Sequence, residues 1–280
     1  MSRLGHFLTR TTTTTTTTTT IITSGSIPVP DPALVYFPPS FPQSLRPPSS
    51  ELGVVPNFLS PHNHDVLVSA AARKLKRLAR GPYNEAHFDS VITGYKEASI
   101  SAWNLSPNQL PINNANNNKN NNNKVNVDLE SLYDSDESVN IILRNFERAV
   151  ESVLASMHVP PVQKWLPPHV LELRDGNSGI GHHVDHKTAF GETIAGLCLI
   201  SPAVMKFRSV EDPAAEFSVL LPPRCFYFQR GSVRYKFSHA IPLNPDEHEF
   251  KGDKVVRRQR VSIMIRDSLI APPFFNSRNQ

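Results

Sequence analysis

From Trp165 to Arg266 the chain carries seven short runs: 169-HVLELR-174, 193-TIAGLCLI-200, 204-VMKFRSV-210, 216-EFSVLL-221, 225-CFYFQR-230, 235-YKFSHAI-241 and 260-RVSIMIR-266. β-Branched and aromatic residues dominate each run, and Pro, Gly, Asn or Asp punctuates the gaps, the texture of strands joined by turns. Seven such runs in about a hundred residues imply a sandwich or barrel. Two helices are expected ahead of them. The first enters at Ser60-Pro61, a hydroxyl N-cap followed by proline where its missing N–H costs nothing, and runs to about Arg80, before Gly81-Pro82. Its apolar positions Val66, Leu67, Ala70, Ala71, Leu75 and Leu78 recur at helical spacing, while Arg73, Lys74, Lys76, Arg77 and Arg80 fall largely on the other face. The second covers Val139 to Met157, with Ile142, Phe146, Val150, Val153 and Leu154 along one side. Helices in front and strands behind predict an α+β protein, a double-stranded β-helix (jelly-roll) core with supporting N-terminal helices.

The flanks read differently. The first thirty residues hold no acid, carry Arg3 and Arg10, and are rich in Ser and Thr, as organelle transit peptides are. The low-complexity run Thr11 to Thr20 suits a disordered cytosolic tail equally well. Residues 27–57 are dense in proline, which predicts an extended linker, so that residues 1–57 lie outside the folded domain. The domain is expected to cover residues 58–270, with a tail at 271–280. Residues 104–138, almost pure Asn between 113 and 126, bury too little apolar surface to offset their ordering entropy and are expected as a disordered insertion.

Composition narrows the classes. The 280 residues carry a net charge of +4, which permits nucleic acid or anionic lipid as a partner and requires neither. The two cysteines, Cys198 and Cys225, sit in apolar runs outside any CxxC or Cys/His cluster. That excludes a disulfide scaffold and a structural zinc site, and reads both as small buried hydrophobes. No run of 18 apolar residues exists to span a membrane.

The chemistry is carried by 181-GHHVDHKT-188 and two later strands. At a strand end, residues i and i+2 share a face, so His183 and Asp185 can converge on one point. His182 and His186 have no carboxylate two residues on and keep surface or core roles. His239 lies toward the end of the strand-like run YKFSHAI. Two imidazoles and one carboxylate on one face of a metal leave positions open, the arrangement of non-haem iron(II) oxygenases. In the last strand, alternation puts Arg260, Ser262, Met264 and Arg266 on one face and Val261, Ile263 and Ile265 on the other. Two guanidinium groups and a hydroxyl facing inward make a poor core but a good grip on a dicarboxylate.

HxD, a distal His and RxSxxxR in the last strand together resemble the AlkB-like 2-oxoglutarate/iron(II) dioxygenases. FLSP, HFDSVITGYKEA, HVDHKTAFGETIAGLCLISPAVM and RGSVRYKFSH are similar to the family's mitochondrial branch, over Phe58 to about Leu269. The resemblance implies Fe(II), 2-oxoglutarate and O2 as the working set, with His183, Asp185 and His239 as iron ligands. It also implies Arg260 on the far carboxylate of 2-oxoglutarate, flanked by Ser262 and Arg266, and Tyr227 as a hydrogen-bond partner of the same molecule. A core aromatic role for Tyr227 is the alternative. A mitochondrial matrix location and an association with alkylation-induced programmed necrosis and fatty-acid metabolism are implied in the same way. The expected substrate is a protein side chain or small molecule. The rivals are a nucleic-acid dealkylase, which would need a basic groove and a base-flipping pocket, and a jelly-roll interaction module without catalysis. Nothing in the sequence bears on oligomeric state.

Overall fold

The computed structural model describes residues 27–86, 91–100 and 136–269. The expected transit peptide, most of the Asn-rich insertion and the C-terminal tail lie outside these residues. In chain order the strands are β1 (Val35–Tyr36), β2 (Leu52–Val55), β3 (Ile92–Thr93), β4 (Tyr95–Ser99), β5 (His169–Leu173), β6 (Gly179–His183) and β7 (Ile194–Leu199). Then follow β8 (Ala203–Ser209), β9 (Glu216–Leu221), β10 (Phe226–Gln229), β11 (Phe237–Ile241), β12 (Glu249–Phe250), β13 (Asp253–Lys254) and β14 (Arg260–Arg266). Helices α1 (Pro61–Leu78) and α2 (Asp136–Ser156) precede β5, and the short α3 (Gly231–Lys236) joins β10 to β11.

All strand pairings are antiparallel. One sheet runs β1-β9-β8-β11-β6-β3 and the other β2-β10-β7-β14-β5-β4, with β12 and β13 a separate hairpin. Together they form the expected double-stranded β-helix, and each of the seven quoted runs supplies a strand. Period-two alternation sorts their side chains into two cores. Leu171, Leu173, Cys198, Tyr227, Phe207, Phe217 and Phe237 fill the space between the sheets. Leu197, Leu199, Phe226, Phe228, Val261, Ile263 and Ile265 point the other way and pack under the two helices.

Helix α1 begins as its sequence dictates: Ser60 Oγ accepts from Asn63 N at 3.1 Å, with Pro61 in the first turn. Val66, Leu67, Ala70, Ala71 and Leu75 are buried, but Leu78 is exposed and Lys74 is not. Lys74 follows Ala70 and Ala71 by four and three residues, so its stem shares their buried face.

The proline-rich segment is not a linker. Leu52–Val55 is a fully buried strand that extends the second sheet on β10, with Tyr227 opposite Val54. Val35–Tyr36 pairs with β9, and Phe37 and Phe41 pack on Phe217 at centroid distances of 4.6 and 5.8 Å. Apolar residues between the prolines find core positions on the two sheet margins, where a strand tolerates lost donors. Proline also lowers the entropy lost on ordering. The domain therefore begins well before Phe58. From the same segment Glu51 caps α3: its carboxylate accepts from Ser232 N (2.8 Å), Val233 N (3.3 Å) and the Ser232 hydroxyl. Gly231, at φ +53°, is what lets Glu51 approach, because a Cβ there would lie 2.4 Å from its Oε1.

Candidate metal centre

His183 is the last residue of β6, Asp185 lies two residues on in the following loop, and His239 is the central residue of β11. β6 and β11 are neighbours with His239 directly opposite His183, so strand register alone brings two imidazoles together, with ring centroids 4.3 Å apart. Asp185 bridges them: Oδ1 is 3.6 Å from His183 Nε2 and Oδ2 is 3.7 Å from His239 Nε2. One ligand atom from each residue lies within 4.8 Å of the other two. His183 Nδ1 donates to the Gly181 carbonyl at 3.0 Å, which turns Nε2 toward the carboxylate. Burial pushes His239 down to about 4, so its imidazole is neutral at physiological pH, the form that ligates. Burial alone would raise the Asp185 carboxyl; His239, His183 and Arg266 outweigh it and hold the group well below the carboxylate range. Two imidazoles and a hard anion fit iron(II).

Arg260 and Ser262 face the space between the sheets and are 2% and 1% exposed. The Arg260 guanidinium donates to Ser262 Oγ at 3.2 Å, Ser262 passes the bond to Leu171 O at 3.5 Å, and Arg260 Nε has no partner. Among the described residues no carboxylate pairs with it. A buried cation short of an anion is an expensive arrangement unless a ligand completes it. Arg266, on the same face, sits over the Phe190 ring with its Cζ 4.7 Å from the centroid, and its buried Nε also lacks a partner. Burial raises the Tyr227 phenol to about 12, with Arg260 and Arg266 opposing and Asp185 adding. Gly196 gives it room, since a Cβ there would be 2.6 Å from the Tyr227 ring. The two remaining histidines of the motif stay outside: His182 Nδ1 contacts Ser238 Oγ at 3.2 Å on the far side of β6, and His186 bonds Thr188 at 3.2 Å in the loop.

The sequence reading missed two groups. Gln229, 1% exposed, donates from Nε2 to Asp185 Oδ2 at 3.3 Å. Arg234, 2% exposed on α3, is a clamp: it donates to the carbonyls of Gly191 (2.8 Å), Asp185 (3.1 Å), His186 (3.1 Å) and Phe190 (3.3 Å). One guanidinium thereby fixes the whole loop that carries Asp185. The available signal was an arginine inside RGSVRYKFSH, five residues before His239, with no acid close in sequence. Arg234→Lys keeps the charge but loses the fork. Its Fe(II) affinity is expected to fall by about 10–100-fold, the usual effect of losing a ligand's supporting partner, while 2-oxoglutarate affinity at saturating metal is retained. Calorimetric titration of each ligand measures both.

A surface groove of about 820 Å³ lies on the outer face of the first sheet around His182, Lys206, Arg208 and Glu216.

A jelly roll holding a two-histidine, one-carboxylate cluster with a buried arginine deeper inside defines an iron(II)- and 2-oxoglutarate-dependent dioxygenase. Residues 51–266 match the sequence model of the 2OG-Fe(II) oxygenase superfamily, and the chain belongs to that family, on its AlkB-like side. It is 32% identical over 216 residues to the Mus musculus alpha-ketoglutarate-dependent dioxygenase alkB homolog 7, mitochondrial, covering 77% of this chain and 78% of that protein. The Bos taurus protein of the same name is 30% identical over 220 residues, 76% of each chain. A solved Pseudomonas putida prolyl-4-hydroxylase is similar at TM-score 0.45 and 13% identity, over 79% of this chain and 94% of that one. Iron(II), 2-oxoglutarate and dioxygen are the working set of the family.

Proposed function

We propose that this enzyme oxidises a C–H bond of a protein side chain or small metabolite in the mitochondrial matrix, with His183, Asp185 and His239 holding the iron. Bound together, iron(II), 2-oxoglutarate and dioxygen supply the oxidative decarboxylation that drives the hydroxylation. The chain's own part is placement. Arg260 grips the far carboxylate of 2-oxoglutarate, Ser262 holds the guanidinium in orientation, and the Tyr227 hydroxyl donates to the same molecule. Arg266 lies beside Asp185, while the aromatic and aliphatic packing between the sheets excludes water. The observation that carries this reading is Arg260, a wholly buried guanidinium without a carboxylate partner among the described residues, in the same interior as the three ligand side chains.

A protein or metabolite substrate is favoured over nucleic acid by charge placement. The basic face of α1, Arg73, Lys76 and Arg77, is exposed on a helix packed against the outer side of the second sheet, whereas the metal ligands stand on and beside β6 and β11 of the first sheet. The location rests on the acid-poor N-terminal residues and on the word mitochondrial in both relatives' names. The link to programmed necrosis and fatty-acid metabolism rests on family likeness. Among the described residues no helix is long and apolar enough to cross a membrane.

Purified protein with Fe(II) and ascorbate is expected to convert 2-oxoglutarate to succinate slowly with no added substrate. Absence of both turnover and Fe(II) binding would defeat the reading. Tight, salt-dependent binding of single-stranded RNA or DNA, with stimulated succinate release, would instead establish the dealkylase.

A further inference from the structure

Cys198, near the end of β7, and Cys225, at the entry to β10, are both free and wholly buried, and neither has a part in the site described above. β7 and β10 are antiparallel with Phe226 opposite Leu197, so one more step of register sets Cys225 opposite Cys198. Cys198 N donates to Cys225 O at 3.0 Å. Opposed residues of antiparallel strands have Cα atoms about 4.5–5.5 Å apart, inside the roughly 4.4–6.8 Å span that a disulfide bridges. Both side chains point into the space between the sheets, and the two thiols interact directly.

The ladder is irregular at this point. Arg224 has φ +68°, its N–H donates to Cys198 O at 2.8 Å, and Cys225 N turns back to Pro222 O at 3.3 Å. Arg224 and Cys225 thus both face Cys198, as in a β-bulge. The sulfurs also differ. Cys198 Sγ lies 3.6 Å from each of the Ser201 and Leu221 carbonyls and against the Arg260 guanidinium. Cys225 as a hydrogen-bond donor, with Arg260 as a neighbouring cation, holds the Cys198 thiol down against the effect of burial, while burial raises Cys225. The contact with the Arg260 guanidinium, a cation that favours a thiolate, is made by Cys198 and assigns it as the attacking partner.

The geometry points to Cys198 and Cys225 as an oxidative-modification site, a dithiol that a peroxide converts into a β7–β10 disulfide inside the roll. The Cys198 thiolate attacks one oxygen of hydrogen peroxide; the O–O bond breaks, the released hydroxide leaves as water, and Cys198 becomes a sulfenic acid. The Cys225 sulfur, giving up its proton, then attacks the Cys198 sulfur. The S–S bond forms, the S–O bond breaks and a second water departs. In sum two thiols lose two electrons and two protons, and one peroxide becomes two waters. Peroxide is a small oxidant, and the bonds to be made are already between neighbours.

The test is peroxide titration of the full-length protein, followed by denaturation, alkylation and intact-mass and non-reducing peptide analysis. The expected product is an intramolecular Cys198–Cys225 peptide pair, with a mass loss of two hydrogens that dithiothreitol reverses. In Cys225→Ser the second step is blocked, so Cys198 is expected to stop as a sulfenic acid trapped by dimedone. Cys198→Ser is expected to leave Cys225 unmodified. Both thiols still free after prolonged peroxide exposure, or disulfides only between separate molecules, would overturn the assignment. These readouts are independent of turnover, so they stand apart from the proposed substrate and from the role given to Arg260.

Discussion

Arg260→Met is expected to weaken 2-oxoglutarate binding on the order of 10²–10³-fold while leaving Fe(II) affinity within a few-fold of the parent. Truncating one side of a buried, hydrogen-bonded charge pair costs about 2–5 kcal/mol, and each 1.4 kcal/mol is tenfold in Kd. Arg260 meets the conditions for the upper part of that range: it is 2% exposed, oriented by Ser262, and has no carboxylate partner among the described residues. The same facts predict an unusual stability result. A buried guanidinium whose Nε has no partner is a burden on the ligand-free fold. Methionine fills similar volume without the charge, so the ligand-free variant is expected to melt at the same temperature as the parent or higher. Calorimetric titration with 2-oxoglutarate, beside thermal melts with and without it, reads both halves. A variant that binds the diacid as the parent does would remove Arg260 from the site; a variant that simply unfolds would mean its role is structural.

The strands were legible because each obeys one rule over five to seven residues. In 260-RVSIMIR-266 alternation assigns Val261, Ile263 and Ile265 to the helix side and Met264 to the inter-sheet space, where the structure has them. His183, Asp185 and His239 were legible for a related reason, since strand period fixes which groups share a face. Two features hid. The pairing of β2 with β10 joins residues about 170 positions apart, and no local pattern in a proline-dense stretch announces such a partner. Arg234 hid because its partners are backbone carbonyls, which every residue possesses. A side chain that binds main chain leaves no complementary residue type to find. The cysteines were read correctly as buried, but their opposition depends on the β7–β10 register, which the runs TIAGLCLI and CFYFQR do not specify.

Asp185→Ala is expected to abolish metal binding altogether, whereas His182→Ala is expected to leave it intact. The aspartate is the only anion of the cluster, and it sits with Arg266 nearby and Arg234 on its own carbonyl. Without it a dication would meet two imidazoles in a field made positive by two guanidinium groups. The loss should therefore exceed the roughly 10–100-fold that follows removal of a supporting partner. The loop itself should survive, because Arg234 holds it through backbone carbonyls that the substitution does not touch. That separates ligand loss from misfolding. A metal at 100 times its Kd stabilises a protein by about 2.7 kcal/mol, so the parent and His182→Ala should show a clear rise in melting temperature with Mn(II) or Fe(II), and Asp185→Ala none. His182, one residue from a ligand but turned to Ser238 on the opposite face of β6, is the stringent control. If its removal erased the metal-induced shift as well, the alternation that assigns His183 to the metal would be wrong.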